Sequence, residues 1–508
     1  MNAGADARAI RAWVLYDWAN SAFATTIMAA VLPVYFSTVA AADLPRATAS
    51  SYWGYTNSIS MLAIALAAPV LGAIADYGGS KKRFLAGFLV PGVLFTALLV
   101  AIGRGDWFWA ALLFVLAEIG FSGTIVFYDA LLPHVAPAGQ IDQVSARGYA
   151  AGYLGGGLLL ALNIAWITAP RMFGLDALGA RLGIEPVELG TRLSFLSVAV
   201  WWAAFSIPLF LRVGEPAPRR LEHEARVNPL RGGFGRLART FREVRRFRQL
   251  MLFIAAFWIF NDGIGTIIKM ATIYGAEVGI GRTDLIGALL VTQFVGIPFA
   301  LMFGVLPRPD HPRQPLLLSL LVYNALTIPL IGWFAGSLGV TSGPRAVVAL
   351  LLNQLPGLAL SWLVGRRALA PFAARMTTKA SILLSLAVYA LISIWAYFLS
   401  SAVDFWLLAW MVGLVQGGSQ ALSRSLFGSM TPRVQSAEFF GFYDMSSKFA
   451  GLIGPLLFAV VGQLAGSSRL GIGSLLVFFV VGGALLLLVD EREGVRIAAE
   501  EDARTASA

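Results

Sequence analysis

The sequence predicts an all-α membrane protein, a bundle of about fourteen membrane-spanning helices. Hydrophobic residues make up 58% of the 508-residue chain and charged residues 13%, whereas soluble domains carry roughly 25% charged residues. Apolar runs of about twenty residues recur along the chain, and a helix of that length crosses the roughly 30 Å hydrocarbon core of a bilayer. Lys and Arg residues collect in the loops of one side, which is typical of the cytoplasmic face.

The first half of the chain holds six predicted spans and is followed by a basic linker. The spans lie at about 13–40, 51–75, 84–103, 107–128, 147–169 and 191–212, so residues 1–212 form the predicted N-terminal six-helix half. Residues 213–249, predicted as a cytoplasmic linker, end in Arg242-Glu-Val-Arg245-Arg246-Phe-Arg248. Such a segment could bind anionic lipid, but the positive-inside rule accounts for it without a ligand.

Eight further spans are predicted in residues 250–489, the C-terminal half. They lie at about 250–273, 285–306, 315–336, 344–364, 379–399, 404–424, 439–463 and 470–489. The N-terminus and the tail, residues 490–508, are both predicted on the cytoplasmic side. A cleavable signal is not expected, because the first apolar stretch contains Asp17 and Asn20 and is longer than a signal core.

Two pairs of matching patterns indicate that the halves are repeats. The pattern N-x4-T-x-I begins at Asn20 and again at Asn261, an offset of 241 residues. Small residues at four-residue spacing begin at Gly148 and again at Ser446, an offset of 298 residues. The offset grows by 57 residues (298 − 241), which suits two helices with their loops. We therefore predict two pseudo-symmetric six-helix repeats and an inserted pair of helices at about 307–364.

Several motifs together resemble the major facilitator superfamily, and more narrowly the bacterial relatives of the fungal vacuolar amino-acid effluxer of autophagy. The turn Gly72-Ala-Ile-Ala-Asp76-Tyr-Gly-Gly79-Ser-Lys81-Lys82 resembles the loop between the second and third helices of that superfamily. The narrower resemblance rests on Tyr16-Asp17-Trp18-Ala19-Asn20-Ser21, Phe127-Tyr128-Asp129, Asn261-Asp262-Gly263, Gln416-Gly-Gly-Ser419-Gln420 with Arg424, and Glu438-Phe-Phe-Gly441-Phe-Tyr443-Asp444. It implies a carrier in a bacterial plasma (inner) membrane that exports amino acids or similar zwitterions by alternating access, with no cofactor beyond a coupled proton.

The charged turn is predicted to act as a conformational latch, a role that the resemblance implies for its aspartate. Asp76 lies near the end of a predicted helix, where an anion is unfavourable unless it meets a cation or the N-terminus of another helix. Holding the loop in the cytosol is the alternative role of the basic residues. The predicted latch residues are Gly72, Asp76, Gly79, Lys81 and Lys82.

Small residues on one face of a membrane helix allow a second helix to pack closely. At four-residue spacing they form one stripe in the fifth predicted helix and a second near residue 446. The predicted helix-packing residues are Gly148, Gly152, Gly156, Ser446, Ala450 and Gly454.

Ionisable residues inside predicted spans are the main candidates for a binding site, because each costs about 2.5–3.5 kcal/mol on insertion scales. We predict a central cavity lined by Asp17, Asn20, Glu118, Asn261, Asp262 and Lys269. Glu118 or Asp262 would take up the proton if transport is coupled; for Asp17, structural pairing at the cytoplasmic interface is the alternative. The polar candidates of the second half are Gln416, Gln420, Arg424, Asp444 and Lys448, the last two close enough in sequence to pair.

Other functional classes find little support in the sequence. The chain has no cysteine, its three histidines lie outside the predicted spans, and the HExxH and GxxxxGK[ST] patterns are missing, so a metal site, an enzyme or an ATP-driven pump is not expected. A net charge of +10 reflects the loops of one side rather than nucleic-acid binding. The predicted partners are a small-molecule substrate and the bilayer, with the oligomeric state open. A multidrug or metabolite exporter of the same fold, and a lipid-handling membrane protein or enzyme, remain the alternatives.

Overall fold

The computed structural model describes residues 3–137, 139–217, 228–242, 245–449, 451, 453–465 and 467–506, and the regular structure in these ranges is helical. Thirteen helices in this part of the chain are long and apolar enough to cross a membrane. The first half contains α1 (Ala3–Ala22), α2 (Leu32–Tyr35), α3 (Arg46–Gly78), α4 (Lys81–Leu98), α5 (Trp107–Val135), α6 (Ile141–Thr168), α7 (Leu175–Leu182) and α8 (Pro186–Arg212).

The first span runs over Ala7–Ala40 and is not a regular α-helix throughout. The π-helical segment Phe23–Ala30 joins α1 to α2, and a second π-helical segment, Phe36–Ala40, follows α2. The linker contributes one helix, α9 (Pro229–Arg242), which packs on the end of α3.

The second half holds the remaining helices, numbered on from the linker. They are α10 (Arg248–Glu277), α11 (Arg282–Phe303), α12 (Gln314–Trp333), α13 (Gly343–Leu360), α14 (Arg366–Ala368), α15 (Ala370–Ala373), α16 (Thr378–Tyr397), α17 (Ala402–Ser429), α18 (Ser436–Phe449), α19 (Ile453–Ala465), α20 (Ser468–Ser474), α21 (Leu476–Leu487) and α22 (Glu491–Ala506). The predicted insertion corresponds to α12 and α13, whose outer surfaces carry exposed Leu, Val and Trp side chains.

Two of the predicted spans have features that the hydropathy pattern does not predict. The span predicted at 404–424 is α17, a 28-residue helix that is not among the thirteen because Gln416, Gln420 and Arg424 lower its hydropathy. Most of its side chains are buried by other helices, so it does not need an apolar surface toward lipid. The span predicted at 439–463 lies within the candidate span Arg433–Leu464. Gly451 forms a turn between α18 and α19, and Ala450 falls outside the described residues.

The end of the bundle at which Arg83, Arg212 and Arg248 are exposed is called the basic end. Lys82 lies there in the first turn of α4 and caps the last turn of α8. Its Nζ donates to the carbonyl oxygens of Phe210 at 2.9 Å and Val213 at 2.5 Å. The Glu215 carboxylate accepts from the Lys82 amide at 2.8 Å; burial raises the pKa of Glu215, and this hydrogen bond opposes the rise.

The same corner recurs in the second half, 297 residues further on. Lys379 lies in the first turn of α16, and its Nζ donates to the carbonyl oxygens of Leu487 at 3.4 Å and Val489 at 2.7 Å. The Glu491 carboxylate accepts from the Lys379 amide at 3.3 Å. This repetition of a lysine cap supports the predicted repeat, since its offset is close to the 298 residues that separate the two small-residue stripes.

We expect Lys82→Met and Lys379→Met to destabilise the protein by similar amounts. Each substitution leaves carbonyl groups at the end of a helix without their charged donor, a loss of about 1.5–3 kcal/mol for a hydrogen bond to a charged group. Thermal unfolding in detergent measures the effect, with Arg375→Gln as a control that removes an exposed charge. A large loss at one lysine and none at the other would argue against equivalent corners.

Candidate functional site

A buried arginine joins the two halves near the basic end. Arg424 of α17 donates from Nη2 to the Asp17 carboxylate and from Nη1 to the Asp129 carboxylate, both at 3.0 Å. Its Nε donates to the Ser145 hydroxyl at 3.0 Å. The guanidinium is 2% exposed and lies 4.4 Å from the centre of the Tyr149 ring. A buried cation is tolerated when it is paired and hydrogen-bonded in this way.

The glycine stripe of α6 provides room for this network and for α1. A methyl group at Gly148 would overlap the Asp17 carboxylate and lie 2.8 Å from Arg424 Nη2. At Gly152 it would lie 2.5 Å from the Ser21 hydroxyl, and at Gly156 3.0 Å from the Ser21 carbonyl oxygen. The first stripe therefore packs α6 against α1, as small residues do between membrane helices.

In the second stripe, formed by Ser446, Ala450 and Gly454, one residue packs closely against another helix. Ser446 is buried and donates to the Tyr443 carbonyl within its own helix at 2.7 Å. Gly454 lies against α10, where a methyl group would come 2.8 Å from Asp262 Oδ1. Ala450 belongs to the residues outside the described ranges.

The charged turn contacts the start of α18. Asp76 forms an ion pair with Lys81 at 2.6 Å, and its Oδ2 accepts from the Glu438 backbone amide at 2.8 Å. Because Glu438 is in the first turn of α18, the anion at the end of α3 meets both a cation and a helix N-terminus. Gly79 ends α3 in the left-handed conformation (φ 57°) that favours glycine. Lys82, a predicted latch residue, instead caps α8.

Two close seams between the halves flank this contact. At Gly72 of α3 a side chain would overlap the Ala437 carbonyl of α18. At Gly304, which follows α11, a methyl group would lie 2.6 Å from Ala146 of α6. Asp142 of α6 also accepts from the hydroxyl of Ser425 and, at 3.0 Å, from that of Thr378. The contacts between the two halves at the basic end therefore include both closely packed backbone and polar side chains.

Deeper in the bundle, an acid of the first half faces two bases of the second. Glu118 of α5 is 1% exposed and accepts a hydrogen bond from Ser60 of α3. It interacts electrostatically with Lys448 of α18 and Lys269 of α10. Lys269 is exposed, whereas Lys448 is half-buried. The Nζ atom of Lys448 lies 3.9 Å from Asp444 Oδ1.

Asp262 and Asn261 are held by other elements of the second half. The two carboxylate oxygens of Asp262 accept from the backbone amides of Ile453 at 3.1 Å and Gly454 at 2.9 Å, so this side chain caps α19. Asn261 accepts from Gln420 of α17 at 2.8 Å. A methyl group at Gly451 would lie 2.5 Å from Lys269 Nζ, so Lys269 lies beside the break between α18 and α19.

An apolar cavity of about 110 Å³ lies in the second half, between α10, α11, α16, α17 and α20. Ile268, Leu289 and Leu408 contribute to its wall, and Gln293 and Gln416 add polar groups. Gln416, predicted from sequence as a polar candidate, is thus a cavity residue.

The structure divides the predicted site into two groups. Glu118, Lys269 and Lys448 interact electrostatically with one another, and Lys269 also interacts with Asp262. Asp17 does not belong to this group. It pairs with Arg424 near the basic end, which agrees with its alternative role of structural pairing at the cytoplasmic interface. Asn20 is also buried, at 3% exposure, and its carboxamide oxygen lies 3.5 Å from the Ser21 hydroxyl.

Sequence reasoning did not select Asp129, Asp142, Ser60 or Ser145 as site residues. Asp129 and Asp142 carry a sequence signal, since each is an acid next to or within a predicted apolar span. His134 was predicted outside the spans, but it lies in the last turn of α5, with Nε2 3.1 Å from the Ser436 hydroxyl.

Comparison with known proteins gives a consistent result. A family model described as vacuole effluxer Atg22 like matches residues 5–343 and 346–499. The uncharacterized MFS-type transporter YxiO of Bacillus subtilis is 34% identical over 96% of this chain and 96% of its own length. Autophagy-related protein 22 of Coccidioides immitis is 22% identical over 89% of this chain and 74% of its own.

Solved structures show the same fold at low sequence identity. The human organic anion transporter MFSD10 has a TM-score of 0.60 at 13% identity, covering 95% of this chain and 99% of that one. The proton:xylose symporter XylE has a TM-score of 0.57 at 12% identity, covering 96% of both chains. The predicted fold class, a major-facilitator-type helical bundle, is therefore confirmed.

Proposed function

Because this chain belongs to the vacuole effluxer Atg22-like family and is a transporter of the major facilitator type, we propose that it exports amino acids or similar small zwitterions by alternating access. It does so from a bacterial plasma membrane, with both termini in the cytoplasm. Residues 1–212 and 250–489 are the two moving halves, and residues 213–249 connect them.

The observation that carries this proposal is the grouping of Glu118 with Lys269 and Lys448. A zwitterion presents an ammonium and a carboxylate group a few bonds apart, and a carboxylate with two ammonium groups offers a partner for each. The charges also come from both halves, so a substrate bound among them contacts both. Binding of this kind near the middle of the bundle is how carriers of this type couple substrate to the movement of their halves.

The contacts at the basic end supply the second requirement, a closure that opens reversibly. Arg424 with Asp17 and Asp129, and Asp76 with the start of α18, are polar contacts between surfaces that otherwise pack through small residues. Polar pairs of this kind have discrete partners and can be exchanged for water when the halves rotate. The exposed Lys269 fits an approach to the site from the opposite end.

Uptake into proteoliposomes from a mixed metabolite pool, read by mass spectrometry, tests the function. Amino acids are expected to accumulate in vesicles that contain the protein. Lys269→Gln is expected to raise the KM for them at least about tenfold, as loss of one charged contact costs about 1.5–3 kcal/mol. Arg375→Gln removes an exposed charge away from the site and is expected to transport normally.

One observation favours the multidrug or metabolite alternative. The cavity of about 110 Å³ is lined mainly by apolar side chains, which suits a substrate without charge. Accumulation of neutral, apolar compounds, with amino acids left outside and with no effect of Lys269→Gln, would replace the amino-acid proposal by this one.

A further inference from the structure

The buried acids of this protein differ in how many of their oxygens are already bound. Asp262 uses both carboxylate oxygens to cap α19. Asp17 and Asp129 each pair with Arg424. Asp444 also has a buried oxygen, Oδ2, without a hydrogen-bond partner among the described residues, but its Oδ1 lies 3.9 Å from the ammonium group of Lys448 in the same helix. Acids held in this way already have donors or a cation for their charge and do not need a bound ion.

Glu118 has a different environment. Its Oε2 accepts from Ser60, while Oε1 is buried and has no hydrogen-bond partner in the described part of the chain. The Ser122 hydroxyl, one turn further along the same face of α5, is likewise buried and without a partner among the described residues. A buried polar atom without a partner is costly, so two of them on adjacent turns indicate a place for a small ligand.

We propose that Glu118, Ser60 and Ser122 form the binding site of a coupling cation, a proton or a sodium ion. The inference rests on the proposed carrier function and assigns its coupling to Glu118 rather than Asp262. One carboxylate with two hydroxyl oxygens gives a monovalent cation one neutralising charge and neutral oxygen ligands. A proton converts the carboxylate to the acid and is released unchanged on the other side; a sodium ion binds and leaves without any covalent change.

The two lysines explain how occupation of this site is linked to the position of the halves. The charged groups that interact with Glu118 are Lys448 on α18 and Lys269 on α10, both in the second half. Glu118 itself is on α5, in the first half. When the halves rotate about the site, the distances between Glu118 and these ammonium groups change. A carboxylate that loses them must gain a cation in their place, because an uncompensated buried charge is strongly unfavourable.

Cation binding can be measured without any substrate, on the purified protein in detergent. For a proton, infrared difference spectra between high and low pH are expected to show a protonated carboxyl band that is missing in Glu118→Gln and kept in Asp444→Asn. For a sodium ion, replacing N-methylglucamine by Na⁺ at constant ionic strength is expected to raise the melting temperature of the wild type and of Asp444→Asn, but not of Glu118→Gln. Ser122→Ala is expected to weaken the response. If wild type and Glu118→Gln respond alike in both measurements, the site does not exist.

Transport then separates this proposal from the carrier function itself. An imposed pH or Na⁺ gradient is expected to stimulate wild-type uptake at least about fivefold, the lower range of measured couplings between sites. Glu118→Gln is expected to lose the stimulation, whereas substrate counterflow by the wild type, which needs no gradient, measures the carrier function itself. Counterflow with equal stimulation in both proteins overturns the coupling site and leaves the carrier function standing. Loss of counterflow in the wild type, with the cation response intact, overturns the substrate proposal and leaves the site.

Discussion

Replacing Arg424 by alanine is expected to abolish transport and to destabilise the protein by about 3–5 kcal/mol, the usual cost of removing one partner of a buried ion pair. The substitution leaves Asp17 and Asp129 buried near the basic end without their cation. Repulsion between the two carboxylates and their lost hydrogen bonds weaken the closed arrangement of the halves. Proteoliposome uptake and thermal unfolding in detergent measure the two effects.

Two further variants make this expectation specific. Arg424→Lys keeps the charge but not the planar guanidinium group that binds two carboxylates and Ser145. The losses of uptake and of stability are therefore expected to be intermediate. Arg433→Ala, nine residues along, removes an exposed arginine and is expected to behave as the wild type. Wild-type stability and uptake in Arg424→Ala would show that the network contributes nothing to either.

Substituting Gly72 by leucine is expected to hold the basic end open. Any side chain at this position overlaps the Ala437 carbonyl, and backbone atoms of two packed helices cannot move apart without separating α3 from α18. The Asp76 contact with the Glu438 amide is then lost as well. We expect uptake to fall to background, because a carrier that cannot close one end cannot complete its cycle.

A cysteine reporter measures this opening directly. The natural chain has no cysteine, so Ser436→Cys places one thiol at a fully buried position at the start of α18. In the Gly72→Leu background this thiol is expected to react with a membrane-impermeant maleimide at least about tenfold faster. A tenfold change corresponds to a shift of about 1.4 kcal/mol in the free energy of opening the basic end.

Gly54→Leu is the matched control for this experiment. Gly54 lies on the same helix, and a side chain there would have no neighbour within 4 Å. Labelling and uptake are expected to equal those of the wild type. If Gly72→Leu labels no faster than Gly54→Leu, the α3–α18 seam does not control access to the basic end.

Most of the fold could be predicted from local patterns in the sequence. Hydropathy identified the spans because the bilayer selects apolar helices of a set length. The number of sufficiently apolar helices in the described residues is lower by one than predicted, because polar side chains lower the hydropathy of α17. The 57-residue difference between the two repeat offsets predicts an inserted pair at about 307–364, a range that contains α12 and α13. The partners required by Asp76 also followed from its place at a helix end, and the structure supplies both of them.

The candidate site was recovered in part. Glu118 and Lys269 could be selected as ionisable residues inside apolar segments, but the same criterion also selected Asp17, which binds Arg424 from a position 407 residues earlier in the chain. Ser60 could not be selected, since a serine in a membrane helix usually bonds to its own backbone. Its contact with Glu118 depends on the packing of α3 against α5.

The sequence by itself determined which segments are apolar enough to span a membrane and which residues are costly to bury, because these properties belong to single helices and their solvent. Only the tertiary structure decided which buried charges meet. Asp17 and Glu118 are both acids within apolar helices, yet Asp17 is paired with an arginine and Glu118 has an oxygen without a hydrogen-bond partner among the described residues. That difference comes from the rotation and depth of helices that are hundreds of residues apart in the chain, which short-range sequence patterns do not record.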